Sequence, residues 1–472
     1  MHQYLNLLKF ASTHGFYKGD RTKTGTKSIA GLVARYDLRG KKIAAVTTKK
    51  HAFKPGLVEE QWMLSGDTTV DFLKEHGCNI WDEWVFPNTA TYRTRSVKEM
   101  QRQYTRDHHG WGKPKLMPAQ LEPGTIIEPH YQGENFDIVI AELNGMQAHM
   151  VIDKSARGAN KSNWYNPEDP IWIEFYSAMG ISDQEVVTGS LGSVYGKTFR
   201  DLEDTRIIKN IKAEEHIDMC KRGFTFEGTL AGERAVYTRR IDQVAALLKE
   251  LAKDPDSRRL IICPWTPALL DEQALPPCHS FIQFWTRELT ADERYALYLV
   301  KSKEDQERIN QQAAEHPEEP LFGTYTQMAV LHKDIFRSRH GDPKSPIDEV
   351  ALHKHMDTLE IPKRALTCLM YQRSGDAFIG IPYNLTFYSI LTHKIANQFN
   401  MVGEELVHVV GDFHIYNNHQ EQVALQLTRE PLPAPTVKFN FPVGTHILDV
   451  DYKDIEICGY TSHPAILAPI AK

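Results

Sequence analysis

The chain has 472 residues, 41% apolar and 25% charged, with a formal charge of −6. That balance is ordinary for a soluble globular protein and amounts to about three domains' worth of chain. It leaves no basic footprint for nucleic acid, so an anionic partner has to be small and met by a local arginine cluster. Six cysteines, at 78, 220, 263, 278, 368 and 458, show neither close pairing nor metal-ligand spacing, which points to free thiols in a reducing compartment. No apolar run approaches the ~18 residues of a membrane span. The N-terminus lacks the basic start and long apolar core of a signal peptide. The expected setting is cytoplasmic, with no membrane partner.

Tyr4, Leu5, Leu7, Leu8 and Ala11 recur at helical spacing. A polar, basic stretch runs from Arg93 to Lys115. Phe136 to Ala141 and Met150 to Ile152 then flank Asn144-Gly145, a hairpin signal because this dipeptide suits a two-residue turn. Ile241, Val244, Ala245, Leu248 and Leu251 mark a second helical face. After Leu275-Pro276-Pro277-Cys278 the run His279-Ser280-Phe281-Ile282-Gln283-Phe284 alternates as a buried strand. Tyr295 to Val300 leads into a charged run, Lys301 to Glu319, expected as a solvated helix. Asn384 opens an apolar stretch through Leu385, Tyr388, Leu391 and Ile395 that reads as a largely buried helix. Leu406 to Val410 reads as a strand delivering a Gly411-Asp412 turn. His108-His109 and the His353/His355 pair come without a matching ligand set, so they read as surface histidines and no metal is expected.

Cys278 carries the chemistry. Two prolines fix its approach to a strand, which places a nucleophile rather than a filler of the core. The bland alternative is an inert interior thiol, the commoner fate of a cysteine. An ordinary thiol, with a pKa of about 8.5, needs a nearby cation before much thiolate exists at neutral pH. The run Tyr371-Gln372-Arg373-Ser374-Gly375-Asp376 offers one.

Leu275 to Gln283, Tyr371-Gln372-Arg373-Ser374 and Gly380-Ile381-Pro382-Tyr383-Asn384 together resemble the thymidylate synthase family. Gly411-Asp412-Phe413-His414-Ile415-Tyr416 and Gln426 to Pro431 continue the resemblance. Upstream, Asp20-Arg21-Thr22, Thr47-Thr48-Lys49, Gly66-Asp67-Thr68, Ile80 to Trp84, Val194-Tyr195-Gly196 and Asp254 to Arg259 follow in the family's order. These blocks occupy residues 1–86, 189–201, 236–289 and 363–472. The expectation is one catalytic domain, 1–472, with three insertions at 87–188, 202–235 and 290–362, entering where surface loops tolerate added length. The resemblance implies an α+β fold, a mixed sheet packed on a buried central helix, and a dimer formed through the sheet.

What the resemblance implies about the reaction is transfer of a one-carbon unit from 5,10-methylene-tetrahydrofolate to C5 of dUMP, by covalent catalysis and without metal. Cys278 would be the nucleophile and Arg373 would lower its pKa and contact the nucleotide phosphate. Arg21 and Ser374 would complete the phosphate site, with Arg258 and Arg259 arriving from the partner subunit of a homodimer. Guanidiniums suit a phosphate because each presents a planar fork. Gln372 belongs to the same substrate-binding run. Asn384 would read the base, since a carboxamide matches both the O4 acceptor and the N3–H donor of uracil. Family members that use cytosine resemble this motif but carry aspartate there. His414 and Tyr416 would hold the deoxyribose 3′-hydroxyl. Glu59 and Tyr195 would run the proton transfers with help from His279, although the neighbouring Glu60 leaves that alignment open by one position. Trp81 and Asp376 would hold the folate ring system and Lys49 would attract its glutamate tail.

The chain departs from the family pattern at Thr266, Phe199 and Phe413, and ends in Lys472 where a small apolar residue is usual. A tail that seals the site excludes water. Three readings therefore stand: a thymidylate synthase of nucleotide biosynthesis, a dUMP hydroxymethylase like those of viruses that modify their DNA, and a catalytically idle relative that acts as a binding protein. Retention of Cys278, Arg373 and Asn384 argues against the last.

Overall fold

The alternation after Cys278 is realised as a strand. The computed structural model describes residues 1–82, 84–85, 90–92, 126–127, 136–143, 146–153, 184–186, 190–230, 234–315, 332–339 and 341–470. Six strands form one sheet: β1 (Phe16–Lys18), β2 (Thr26–Asp37), β3 (Ile261–Ile262), β4 (His279–Glu288), β5 (Arg364–Asp376) and β6 (Val402–Tyr416). Their order is β1-β2-β6-β5-β4-β3. Neighbours are antiparallel except β5 and β6, which are parallel. A parallel pair needs a crossover, and the helix Gly380–Gln398 supplies it.

That helix packs on β5 and β6. Of its 19 residues, 14 are buried, which is why its sequence is apolar on more than one face. Leu385, Tyr388, Leu391 and Ile395 are all 1% exposed or less. It begins four residues before Asn384, since Pro382 is tolerated in a first turn where the backbone N–H has no helical acceptor. The N-terminal helix His2–His14 buries Tyr4, Leu8 and Ala11, and Tyr4 donates its hydroxyl to the Ala377 carbonyl at 2.8 Å. A mixed sheet with helices against it makes this an α+β protein.

Two local expectations are corrected. Gly411-Asp412 is not a turn: β6 runs through it to Tyr416. Glycine is needed there because a Cβ would lie 2.8 Å from the Arg373 carbonyl oxygen, so the strands could not approach. In the helix Gln243–Lys253, Val244, Leu248 and Leu251 are buried as expected, but Leu247 joins them and Ala245 is exposed. The helix Ala291–Glu315 spans both Tyr295–Val300 and the charged run as far as Glu315. Its first turns, with Ala291 and Tyr298, pack against Leu352, Met356 and Ile361.

The chain divides into two compact units. The first comprises Met1–Gln61, Leu247–Ile262 and Cys278–Lys472 and holds the six-stranded sheet. The second comprises Trp62–Ala246 and Cys263–Pro277. Within it Leu202–Lys209, Arg234–Ile241 and Thr225–Leu230 form a sheet around the cluster Met219, Phe224, Ala235 and Tyr237. The strands Phe136–Leu143 and Met146–Asp153 pair antiparallel with Leu143 opposite Met146, which leaves two residues for the Asn144-Gly145 connection, as the sequence predicts. The stretch 93–115, with His108 and His109, lies outside the described residues, as does Lys472.

Candidate active site

Strand register gathers the site of the first unit. Cys278 precedes β4, and His279 pairs with Gln372 on β5. Further along β5, Ser374 pairs with Asp412 and Asp376 with His414 on β6. Tyr416 in turn pairs with Thr26 on β2, a few residues after Arg21. Asn384 lies in the opening turns of the helix that follows β5. Residues far apart in sequence thus meet at one end of one sheet.

The backbone N–H of Arg373 donates to the Cys278 carbonyl at 2.9 Å, and the Ser280 hydroxyl donates to the same oxygen at 3.2 Å. The β4–β5 register shifts between His279 and Phe281, a bulge of the kind that re-aims a side chain beside a functional site. Cys278 as a residue is partly buried, and burial pushes its thiol pKa above the ordinary value while Arg373 pulls it down. The predicted influence of Arg373 is present, but the net shift is upward. Desolvation of a thiolate outweighs one guanidinium here.

On the base side, Gln372 donates from Nε2 to Asn384 Oδ1 at 3.0 Å. His279 is buried, and burial lowers its pKa to about 4 against the upward pull of a hydrogen bond with Asn384. It is therefore a neutral imidazole at physiological pH. Tyr416 is pushed up to about 12, first by burial, then by Asp376, Asp20 and Cys278, with Arg21 acting in the opposite direction. His414 packs edge-on against Tyr416, with ring centroids 5.0 Å apart. Asp412 is held down at about 2, chiefly by its hydrogen bond with His414 and then by Lys18, whose ammonium is 2.7 Å away.

Asp376 accepts from the backbone N–H groups of Phe378 and Ile379 at 2.9 and 3.2 Å. Lys49, expected to attract an anionic tail, is buried. Its ammonium donates to the Phe378 carbonyl at 2.6 Å and lies 3.4 Å from the centroid of the Phe378 ring. Burial draws its pKa down to about 8, with Asp376 opposing. Arg258 and Arg259 are exposed and precede β3, where Ile261 pairs with Gln283. At about 3.4 Å per residue, that places Ile261 roughly 17 Å along β4 from Cys278 and the two arginines farther still, so one chain does not bring them to the thiol. Glu59 and Glu60 are both buried, and Glu60 faces Lys394, its carboxylate 3.5 Å from the ammonium. Glu60 is thus spoken for by an interior ion pair. In the second unit Trp81 and Tyr195 lie with ring centroids 6.0 Å apart, and Trp81 is also 6.0 Å from Trp62.

Sequence reasoning did not single out His408, His419 or the C-terminal anchors. His408, 0% exposed on β6, has Nε2 2.9 Å from Gln372 Oε1. His419 Nε2 is 2.7 Å from the Pro469 carbonyl oxygen and its Nδ1 is 3.8 Å from Asp376. Arg429 donates to the carbonyls of Thr48 and Pro464, and the His463 N–H donates to Thr47. Only the His in Asn417-Asn418-His419, beside the His414-Ile415-Tyr416 run, gave a positional hint.

A thiol, a carboxamide, neutral imidazoles and an arginine thus lie at one end of the mixed sheet of an α+β protein. The family model described as thymidylate synthase matches residues 2–302 and 347–472, and the chain belongs to the thymidylate synthase family. Membership implies a one-carbon transferase that acts on dUMP with methylene-tetrahydrofolate as co-substrate. The break between the two matched segments, 303–346, falls within the 290–362 stretch that the sequence marks as an expected insertion. A protein named thymidylate synthase from Listeria monocytogenes serotype 4b (strain CLIP80459) is 29% identical over 471 residues, covering the whole of both chains. One of the same name from Listeria innocua serovar 6a is 28% identical over 474 residues, again over both whole chains. Among the described residues no helix is long and apolar enough to cross a membrane.

Proposed function

We propose that the chain is a thymidylate synthase, converting dUMP and methylene-tetrahydrofolate to dTMP and dihydrofolate. The supporting observation is that adjacent residues of β5 serve two halves of the site. Arg373 holds the Cys278 backbone while Gln372 holds the Asn384 amide. One strand therefore ties the nucleophile to the group that reads the base.

In this reading the Cys278 sulfur bonds to C6 of the pyrimidine, and the electron pair released to C5 attacks the one-carbon unit. Glu59 takes part in removing the C5 proton, and return of the C6–S pair to sulfur frees the product. The folate supplies the carbon and the hydride. Asn384 donates to O4 and accepts from N3–H. Arg21, Arg373 and Ser374 bind the phosphate, and His414 and Tyr416 the 3′-hydroxyl. Arg258 and Arg259 come from a second subunit, because their own chain keeps them far along the sheet. Asp376 serves the folate ring. The family match running through both units supports reading the chain as one catalytic domain with insertions.

Methyl transfer is favoured over hydroxymethylation by the C-terminal segment. Its anchors at Thr47, Arg429 and His419 dock the tail, the kind of closure that keeps water from the one-carbon unit. Phe413, one of the departures from the family, is fully buried and does not alter the site surface. The test is incubation with dUMP and methylene-tetrahydrofolate, followed by mass analysis of nucleotide and folate. dTMP with equimolar dihydrofolate is expected. Hydroxymethyl-dUMP with tetrahydrofolate makes the protein a hydroxymethylase, and no product at all removes both readings.

A further inference from the structure

Two buried polar side chains form a line that ends at the base-reading amide. His408 on β6 is 0% exposed and Gln372 on β5 is 3% exposed, while Asn384 is only partly buried. His408 Nε2 is 2.9 Å from Gln372 Oε1, and Gln372 Nε2 is 3.0 Å from Asn384 Oδ1. At the inner end, His408 Nδ1 meets no hydrogen-bonding group among the described residues.

The line has two self-consistent settings. With the His408 proton on Nε2, the ring donates to Gln372 Oε1. Gln372 then donates to Asn384 Oδ1, and the Asn384 NH2 group lies on the far side of the amide. With the proton on Nδ1, every bond reverses and the Asn384 amide turns over. Either setting leaves Nδ1 without a partner, as a bare acceptor in the first and as an N–H in the second, so that atom does not choose between them. The donor sense at the outer end is that of the first setting: Gln372 Nε2 donates to Asn384 Oδ1. A charged ring, donating from both nitrogens, is excluded, because burial and the nearby His279 hold His408 down at about 3.

The consequence is chemical. A carboxamide presenting N–H toward the position-4 substituent and C=O toward position 3 fits uracil. The same amide turned over presents C=O toward an amino group and N–H toward a bare ring nitrogen, which fits cytosine. We infer that His408 is a positioning residue that sets base specificity from inside the sheet: through Gln372 it holds the Asn384 amide in the sense that selects a uracil nucleotide. This deepens the proposed function and rests on Asn384 being the base reader.

Two measurements test it. In the intact wild-type protein, 15N NMR of the histidine side chains reads the tautomer directly. His408 is expected as the neutral Nε2–H form from pH 6 to pH 8, and an Nδ1–H form overturns the inference whatever the protein binds. In His408→Phe, with folding checked by circular dichroism, the ratio of dCMP to dUMP dissociation constants is expected to fall about tenfold, the loss of one buried hydrogen bond's preference. Equal weakening of both nucleotides means a merely structural role and also overturns it. If wild type binds neither nucleotide, the proposed function fails and the tautomer alone decides whether the relay exists.

Discussion

At Cys278 two pulls oppose each other, and burial exceeds the attraction of Arg373. The thiolate therefore forms above the ordinary thiol range. Alkylation of Cys278 by iodoacetamide is expected to keep accelerating beyond pH 9. Arg373→Gln removes the opposing cation and moves that profile to still higher pH, and alkylation at pH 7 slows about tenfold for each pH unit the profile moves. An unmoved profile would show that the guanidinium does not act on the sulfur. Cys278 and Asn384 stand out in the sequence because prolines close before them restrict the backbone, and Arg373 because it belongs to the Tyr371-Gln372-Arg373-Ser374 block. His408 was not: a single histidine in Leu406-Val407-His408-Val409-Val410 carries no local mark, and its partner Gln372 lies on another strand. Lys49 shows the converse. Its block is recognisable, yet only packing reveals that its ammonium is bound to the Phe378 carbonyl.

Between elements, the buried Glu60–Lys394 pair joins the helix Phe53–Ser65 to the helix Gly380–Gln398. Both side chains are 2% exposed or less. Burial raises the Glu60 pKa while Lys394 opposes it. Removing one partner leaves the other charge stranded, so Glu60→Leu or Lys394→Met alone is expected to cost about 3–5 kcal/mol in urea unfolding. The double variant, apolar on both sides, is expected to recover most of that loss. Equal stability of single and double variants would show that the two groups do not interact. The periodicity of Leu385, Tyr388, Leu391 and Ile395 exposed the second helix in sequence, since a 3.6-residue repeat is a local property. Lys394 lies inside that apolar run, and its counter-charge comes from a helix distant in sequence. The Gly411-Asp412 step misled for a related reason: glycine there answers the approach of β5, not a reversal of the chain.

For the molecule as a whole, four interior histidines set the acid limit. Burial holds His51, His279 and His393 at about 4 and His408 at about 3. Unfolded, each titrates near 6.5, so below that pH the unfolded chain takes up protons that the folded one refuses. Their share of stability is complete above about pH 6.5 and falls by roughly 1.4 kcal/mol per group for each pH unit below it. Urea midpoints measured from pH 7.5 to pH 4.5 are expected to drop steeply under pH 6, and a flat series would contradict neutral burial. Subunit sharing is tested by mixing Cys278→Ser with Arg258→Ala. Each is expected to be nearly inactive alone, with activity returning in hybrids that hold one intact site; no rescue despite confirmed subunit exchange would place the arginines elsewhere. The sequence by itself determined the family and the α+β alternation and marked Cys278 as the candidate nucleophile, because these are written in contiguous runs and local periods. Only the tertiary structure decided the parallel β5–β6 register, the burial that raises the Cys278 pKa, the interior fate of Lys49 and the His408–Gln372–Asn384 line. Those depend on which strands lie side by side and on how much water is left between them, and no single stretch of chain specifies either.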